Sequence, residues 1–102
     1  MYRVLIVDDE PLVAANIRAA LEEVRDQFPV EAVAGNGREA LRLIEERRPD
    51  IVVTDILMPG MTGIDLLRAC GSRFPETRFV IVSGHAEFEY ARAAMECGAV
   101  SY

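Results

Sequence analysis

The sequence predicts an α/β fold in which a parallel sheet is flanked by helices on both faces. Three observations carry that prediction. Apolar, β-branched runs alternate with helix-period segments along all 102 residues. The connections between them are short, as they are when strand, helix and strand wind in one sense. Every polar residue that interrupts a strand-like run does so at its carboxyl end, where sheets of this class gather their ligands. No internal repeat, low-complexity stretch or linker divides the chain, so residues 1–102 read as one domain of common size.

The first strand is Tyr2-Arg3-Val4-Leu5-Ile6-Val7, broken by Asp8-Asp9-Glu10-Pro11. A proline just inside a helix start is tolerated because its missing N–H would have had no partner. The helix that follows places Val13, Ile17, Ala20, Leu21 and Val24 on one face, and Phe28 and Pro29 end it. Residues 30–34 form a short second strand, stopped by Gly35-Asn36-Gly37. Residues 38–48 carry Ala40, Leu41 and Ile44 at helical spacing, and Pro49 closes that helix. The third strand, Ile51-Val52-Val53-Thr54, is continuously hydrophobic, so both of its faces are expected to be covered. It ends at Asp55, and Met58-Pro59-Gly60 is a loop. A third helix spans residues 63–73 through Ile64, Leu67 and Cys70. A fourth strand spans residues 78–82 and ends at Ser83-Gly84. A fourth helix spans residues 86–97 with Phe88, Ala91, Ala94 and Met95 on its apolar face. Residues 99–102 begin a fifth strand.

Composition narrows the function. No apolar run approaches the roughly 18 residues of a membrane span, and residues 1–7 are too short for the apolar core of a signal peptide, so a cytoplasmic location is expected. Cys70 and Cys97 form no ligand motif and read as small core residues in a reducing compartment. A net charge of −6 argues against phosphate-backbone contacts with nucleic acid. All eleven basic residues are arginine, and lysine is absent.

The strand ends concentrate the chemistry. Asp8 and Asp9 end the first strand, Asp55 the third and Ser83 the fourth. Taken singly, the aspartates suit a helix start or a turn, and Ser83 a cap. Together on one edge, three carboxylates require a proton or a cation among them. Mg²⁺ favours such hard oxygen ligands. An aspartate beside that cation can attack a phosphoryl group, and the Ser83 hydroxyl can donate to a phosphoryl oxygen.

Three segments, Val7-Asp8-Asp9-Glu10, Asp50 through Gly63 with its Asp-x-x-Met-Pro-Gly-x-x-Gly pattern, and Val82-Ser83-Gly84-His85, resemble the receiver domain of two-component response regulators. The resemblance runs the length of the chain, in order and at the family's spacing. It implies a doubly wound, flavodoxin-like sheet of strand order 2-1-3-4-5. It implies Asp55 as phosphoacceptor, Mg²⁺ held directly by Asp9, Asp55 and the Leu57 carbonyl, and Asp8 acting through water. Ser83 becomes the switch hydroxyl and Tyr102 the switch aromatic, while His85, the sole histidine, either stands where the family influences access of water to the phosphoryl group or is a solvated loop residue.

The family also carries a lysine in a Lys-Pro pair shortly after the switch aromatic, and no lysine is present here. The resemblance therefore implies a C-terminally incomplete receiver, with the fifth strand cut short, the fifth helix absent and native chain beyond Tyr102. The implied partner is a sensor histidine kinase; separately, the edge of the fourth strand, only partly covered by residues 99–102, is expected to favour pairing with a second copy of the chain. DNA would be reached only through an output domain outside this sequence. The stretch from Ser83 to Tyr102, with Phe88-Glu89-Tyr90-Ala91, resembles receivers joined to helix-turn-helix transcription factors. Two other readings share the acidic cluster. An Mg²⁺-dependent aspartyl-phosphate phosphatase would need a general-acid aspartate two residues after the nucleophile, where Leu57 stands. A degenerate receiver serving only as a binding module would not need Asp8, Asp9, Asp55 and Ser83 together.

Overall fold

The computed structural model describes residues 1–56 and 58–82, together with Arg92 and Glu96. Its element order is β1 (Val4–Val7), α1 (Pro11–Glu22), β2 (Val30–Ala34), α2 (Gly37–Arg47), β3 (Ile51–Thr54), α3 (Gly63–Cys70) and β4 (Arg78–Ile81). The four strands are parallel in the order β2-β1-β3-β4, the doubly wound arrangement expected for these residues. Arg92 and Glu96 are helical and pair across one turn at 3.7 Å, within the span expected for a fourth helix. The remainder of that helix and the expected fifth strand lie outside the described residues.

The register aligns the carboxyl ends of the strands. Val7 sits opposite Ala34 on one side and Thr54 on the other, and Thr54 opposite Ile81. The main core packs between this sheet and the pair α2 and α3, around Leu5, Val7, Ile44, Val52, Leu66, Phe79 and Ile81. A smaller cluster under α1 holds Val4, Ile6 and Ala14.

Several expectations shift in detail. Helix α1 ends at Glu22 rather than running to Phe28, and Val24, Arg25, Gln27 and Phe28 donate in successive hydrogen-bonded turns instead. The residue α1 buries fully is Ala14; Val13, Ile17 and Leu21 are half-buried, whereas Ala20 and Val24 are exposed. In β3 the burial alternates, with Val52 and Thr54 covered and Ile51 and Val53, which pack against the smaller cluster under α1, only partly so. Helix α3 stops at Cys70, where Gly71 takes a positive φ of 52°. Arg48 closes α2 in the left-handed region.

At the far end of the sheet Arg3 ties the first and third strands to α2. Its backbone N–H donates to Asp50 Oδ2 at 2.7 Å. Its guanidinium donates to the carbonyls of Arg47, at 2.8 Å, and Arg48, two of the acceptors that a helix end leaves without intrahelical donors.

Candidate metal and phosphoacceptor site

Asp8 and Asp55 are the first residues past two adjacent strands, and the sheet's own hydrogen bonding carries on into them. Asp8 N–H donates to the Ala34 carbonyl and Asp55 N–H to the Val7 carbonyl, both at 3.0 Å. With both backbones held by the ladder, one carboxylate oxygen from each of Asp8, Asp9 and Asp55 falls within 4.8 Å of the others. Among the described residues this is the one such group of three. Burial grades across it: Asp8 is 4% exposed, Asp55 half-buried and Asp9 exposed.

Two of the three side chains, Asp8 and Asp55, accept from nearby backbone N–H groups. Asp8 Oδ1 accepts from Glu10 N–H at 2.9 Å, an Asx-type turn that brings Pro11 to the start of α1. Asp55 Oδ1 accepts from Ile56 N–H at 2.8 Å. The Asp55 carbonyl accepts from the buried Thr54 hydroxyl at 3.0 Å.

The loop after β3 is drawn back onto the same peptide unit. Gly63 N–H donates to the Ile56 carbonyl at 2.7 Å. A Cβ at Gly63 would lie 2.3 Å from the Asp55 carbonyl oxygen and 3.1 Å from Ile56 Cα, so only glycine fits. Thr62 and Asp65 then close a reciprocal capping box at 3.1 Å each way, which starts α3 at this point.

The electrostatics favour an added positive charge. Two full charges 4.8 Å apart repel by about 3 kcal/mol at an effective dielectric of 20. Burial pushes the Asp8 carboxyl above its usual range. The Glu10 N–H pulls it back, and the charges of Asp55 and Asp9 push it up again. Three hard oxygen donors, one of them buried and reluctant to ionise alone, are a fit for a small divalent cation of the Mg²⁺ class. Asp9 lines a cleft that runs between the β2–α2 turn and the β3–α3 loop, past Gly37, Arg38, Pro59 and Met61. Two further clefts, one walled by Arg3 and Phe74 and the other by Tyr2 and Val80, open at the opposite end of the sheet, away from the three carboxylates.

The structure thus brings together Asp8, Asp9 and Asp55 as the sequence suggests. Leu57, Ser83, His85 and Tyr102 lie outside the described residues. Sequence patterning missed Thr54 and the steric demand at Gly63. The motif contains Gly63, but its contact with Asp55 depends on the path of the intervening loop.

The chain is similar to known proteins along its whole length. The family model described as the response regulator receiver domain matches residues 4–102. The transcriptional regulatory protein YesN of Bacillus subtilis is 36% identical over 102 residues, spanning 100% of this chain and 28% of its own. The regulatory protein AtoC of Escherichia coli is 40% identical over 101 residues, spanning 98% of this chain and 21% of its own. A solved two-component response regulator of the LuxR family, from an Aurantimonas species, superposes with a TM-score of 0.92 at 36% identity. That match covers 100% of this chain and 72% of that one. The chain spans less than half the length of these curated relatives. Among the described residues, no helix is long and apolar enough to cross a membrane.

Proposed function

This chain belongs to the response regulator receiver family, and from that premise we propose that it is a signalling switch set by phosphorylation of Asp55. The observation that carries the proposal is the convergence of Asp8, Asp9 and Asp55 within 4.8 Å at the carboxyl ends of β1 and β3. Asp9, Asp55 and the Leu57 carbonyl are proposed to hold Mg²⁺, with Asp8 acting through water. Bound there, the ion neutralises charge on the phosphoryl oxygens.

The chain's own residues do the rest. The Ile56 N–H fixes the rotation of the Asp55 carboxylate. One Asp55 oxygen forms a bond to phosphorus as the bond from phosphorus to the donor's leaving atom breaks, and the electron pair departs with that atom. The product carries about −1.5 to −2 charges and three strong acceptor oxygens. Ser83 is proposed to donate to one of those oxygens, and Tyr102 to follow it inward as the conformational readout. The chain turns over no substrate beyond its own phosphoryl group.

The proposed donor is a sensor histidine kinase in the cytoplasm. The proposed output is transcriptional control through a further domain, with residues 1–102 as the receiver unit and a homodimer as its assembled form. The direct test is to incubate the chain with Mg²⁺ and a small phosphodonor and to map the adduct by mass spectrometry. A base-labile phosphoryl group on Asp55, absent from Asp55→Asn and absent when Mg²⁺ is chelated, is expected. Undiminished labelling of Asp55→Asn would move the acceptor elsewhere and overturn the proposal.

A further inference from the structure

The turn that ends β2 and the loop that follows β3 meet at one tight contact, Gly37 against Met61. A Cβ on Gly37 would lie 2.7 Å from Cβ and Cγ of Met61 and 2.9 Å from its Sδ, whereas carbon atoms settle at about 3.5 to 4.0 Å. Backbone conformation does not demand glycine here. Gly37 opens α2 and, unlike Gly60 and Gly71, does not take a positive φ. Alanine would be the better helix former at that position. What the glycine provides is proximity.

Met61 has little room to retreat. Its side chain packs against the main core, and its N–H donates to the Pro59 carbonyl at 3.1 Å. Thr62 follows, locked in its capping box, and then Gly63, seated on the Asp55 carbonyl. Three consecutive residues therefore link the first turn of α2 to the backbone of Asp55. Gly37 and Met61 also line the cleft that Asp9 shares.

We infer that Gly37 is a positioning residue for the acidic site: the missing side chain at residue 37 sets the gap between α2 and the 58–62 loop. Through Met61, Thr62 and Gly63 it sets where Asp55 stands relative to Asp8 and Asp9. The functional consequence rests on the phosphoacceptor reading above; the geometric one does not.

The test compares the parent chain with Gly37→Ala and with Gly37→Ala/Met61→Ala by amide NMR, first without metal and then through a Mg²⁺ titration. In metal-free Gly37→Ala, the amides of Asp55, Ile56 and Gly63 shift. Its Mg²⁺ dissociation constant rises about tenfold, the scale set by lost supporting contacts around a metal site. The double variant recovers to within about threefold of the parent, because Met61→Ala removes two of the three crowding atoms and the core anchor of the third. Melting separates positioning from folding: Gly37→Ala still shows one cooperative transition, lowered by the overpacking, while its affinity falls. Should Gly37→Ala fail to fold, Met61→Ala alone must move the same amides. Unshifted Asp55, Ile56 and Gly63 amides, or a loss of affinity that the double variant does not recover, would overturn the inference. A parent chain without any Mg²⁺ response at Asp8, Asp9 and Asp55 would instead overturn the phosphoacceptor reading, and the metal-free amide shifts would still decide this one.

Discussion

Gly63 lies against the backbone of Asp55 so closely that the two share one steric envelope: a single added carbon at Gly63 would stand 2.3 Å from the Asp55 carbonyl oxygen. That oxygen also accepts the buried Thr54 hydroxyl, so it cannot swing aside without breaking a hydrogen bond.

Gly63→Ala is therefore expected to cost at least about 3 kcal/mol, the upper end for overpacking, because the clash is with backbone rather than with a rotatable side chain. Urea unfolding of the two forms measures it. A loss below about 0.5 kcal/mol would show that α3 can shift away from Asp55 freely, since effects of that size are typical of surface changes.

Thr62→Ala should lower stability by about 1 kcal/mol by removing the hydroxyl that accepts from Asp65 N–H. Thr62→Ser retains that oxygen and should recover most of the loss. Equal denaturation midpoints for Thr62→Ala and the parent would mean that the capping box contributes nothing measurable.

Asp8 governs a pH dependence whose sign follows from its raised pKa, caused first by burial and then, against the Glu10 N–H, by Asp55 and Asp9. The folded state holds the Asp8 proton more tightly than the unfolded state does. Its contribution is fully present below the ordinary value of 3.8 and is lost as pH rises through the folded value. In metal-free buffer, Asp8→Asn should melt higher than the parent at neutral pH, and the gap should close towards pH 3. Adding Mg²⁺ should stabilise the parent more than Asp8→Asn. A parent that gains stability as pH rises from 4 to 7 relative to Asp8→Asn would contradict the sign.

Cys70 is fully buried, and burial pushes its thiol up to about 11 from 9.0. The folded state again favours the protonated form, so its contribution holds below pH 9 and is lost as pH rises towards 11. The decline is roughly 1.4 kcal/mol per pH unit across that window. Iodoacetamide should modify Cys70 in the native chain far more slowly than in urea. Comparable rates in the two states would show that the thiol is accessible.

Much of this architecture was legible in the residues because strand and helix boundaries here are chemical events. Asp8 and Asp55 end apolar runs, and Pro49 stands between α2 and β3, whereas the helix caps Asn36 and Thr62 went unread. What patterning alone left unread depends on layers meeting in space. The apolar spacing of Val13, Ile17 and Leu21 marks a core-facing stripe. The depth of burial falls instead to Ala14, because a small side chain lets α1 approach the sheet. Met58 was read as loop and Phe74 went unmarked, yet both are 5% exposed core residues, because loops on either side of α3 fold back under it. In the site itself, the three acids were visible as strand-end interruptions, whereas Gly63 and Gly37 matter only for what would collide with them.

The first strand is central in the sheet although it is first in the chain, paired to β2 on one side and to β3 on the other. A ribosome therefore releases Asp8 and Asp9 well before Asp55, and the two carboxylate-bearing edges cannot meet until the whole α1-β2-α2 segment has emerged and wound back. Parallel pairing of this kind has no hairpin shortcut. Under the proposed chemistry, competence to accept a phosphoryl group arrives late and all at once, so a half-made or unfolded chain would be invisible to its donor. Modification would then certify completed assembly as well as carry a message.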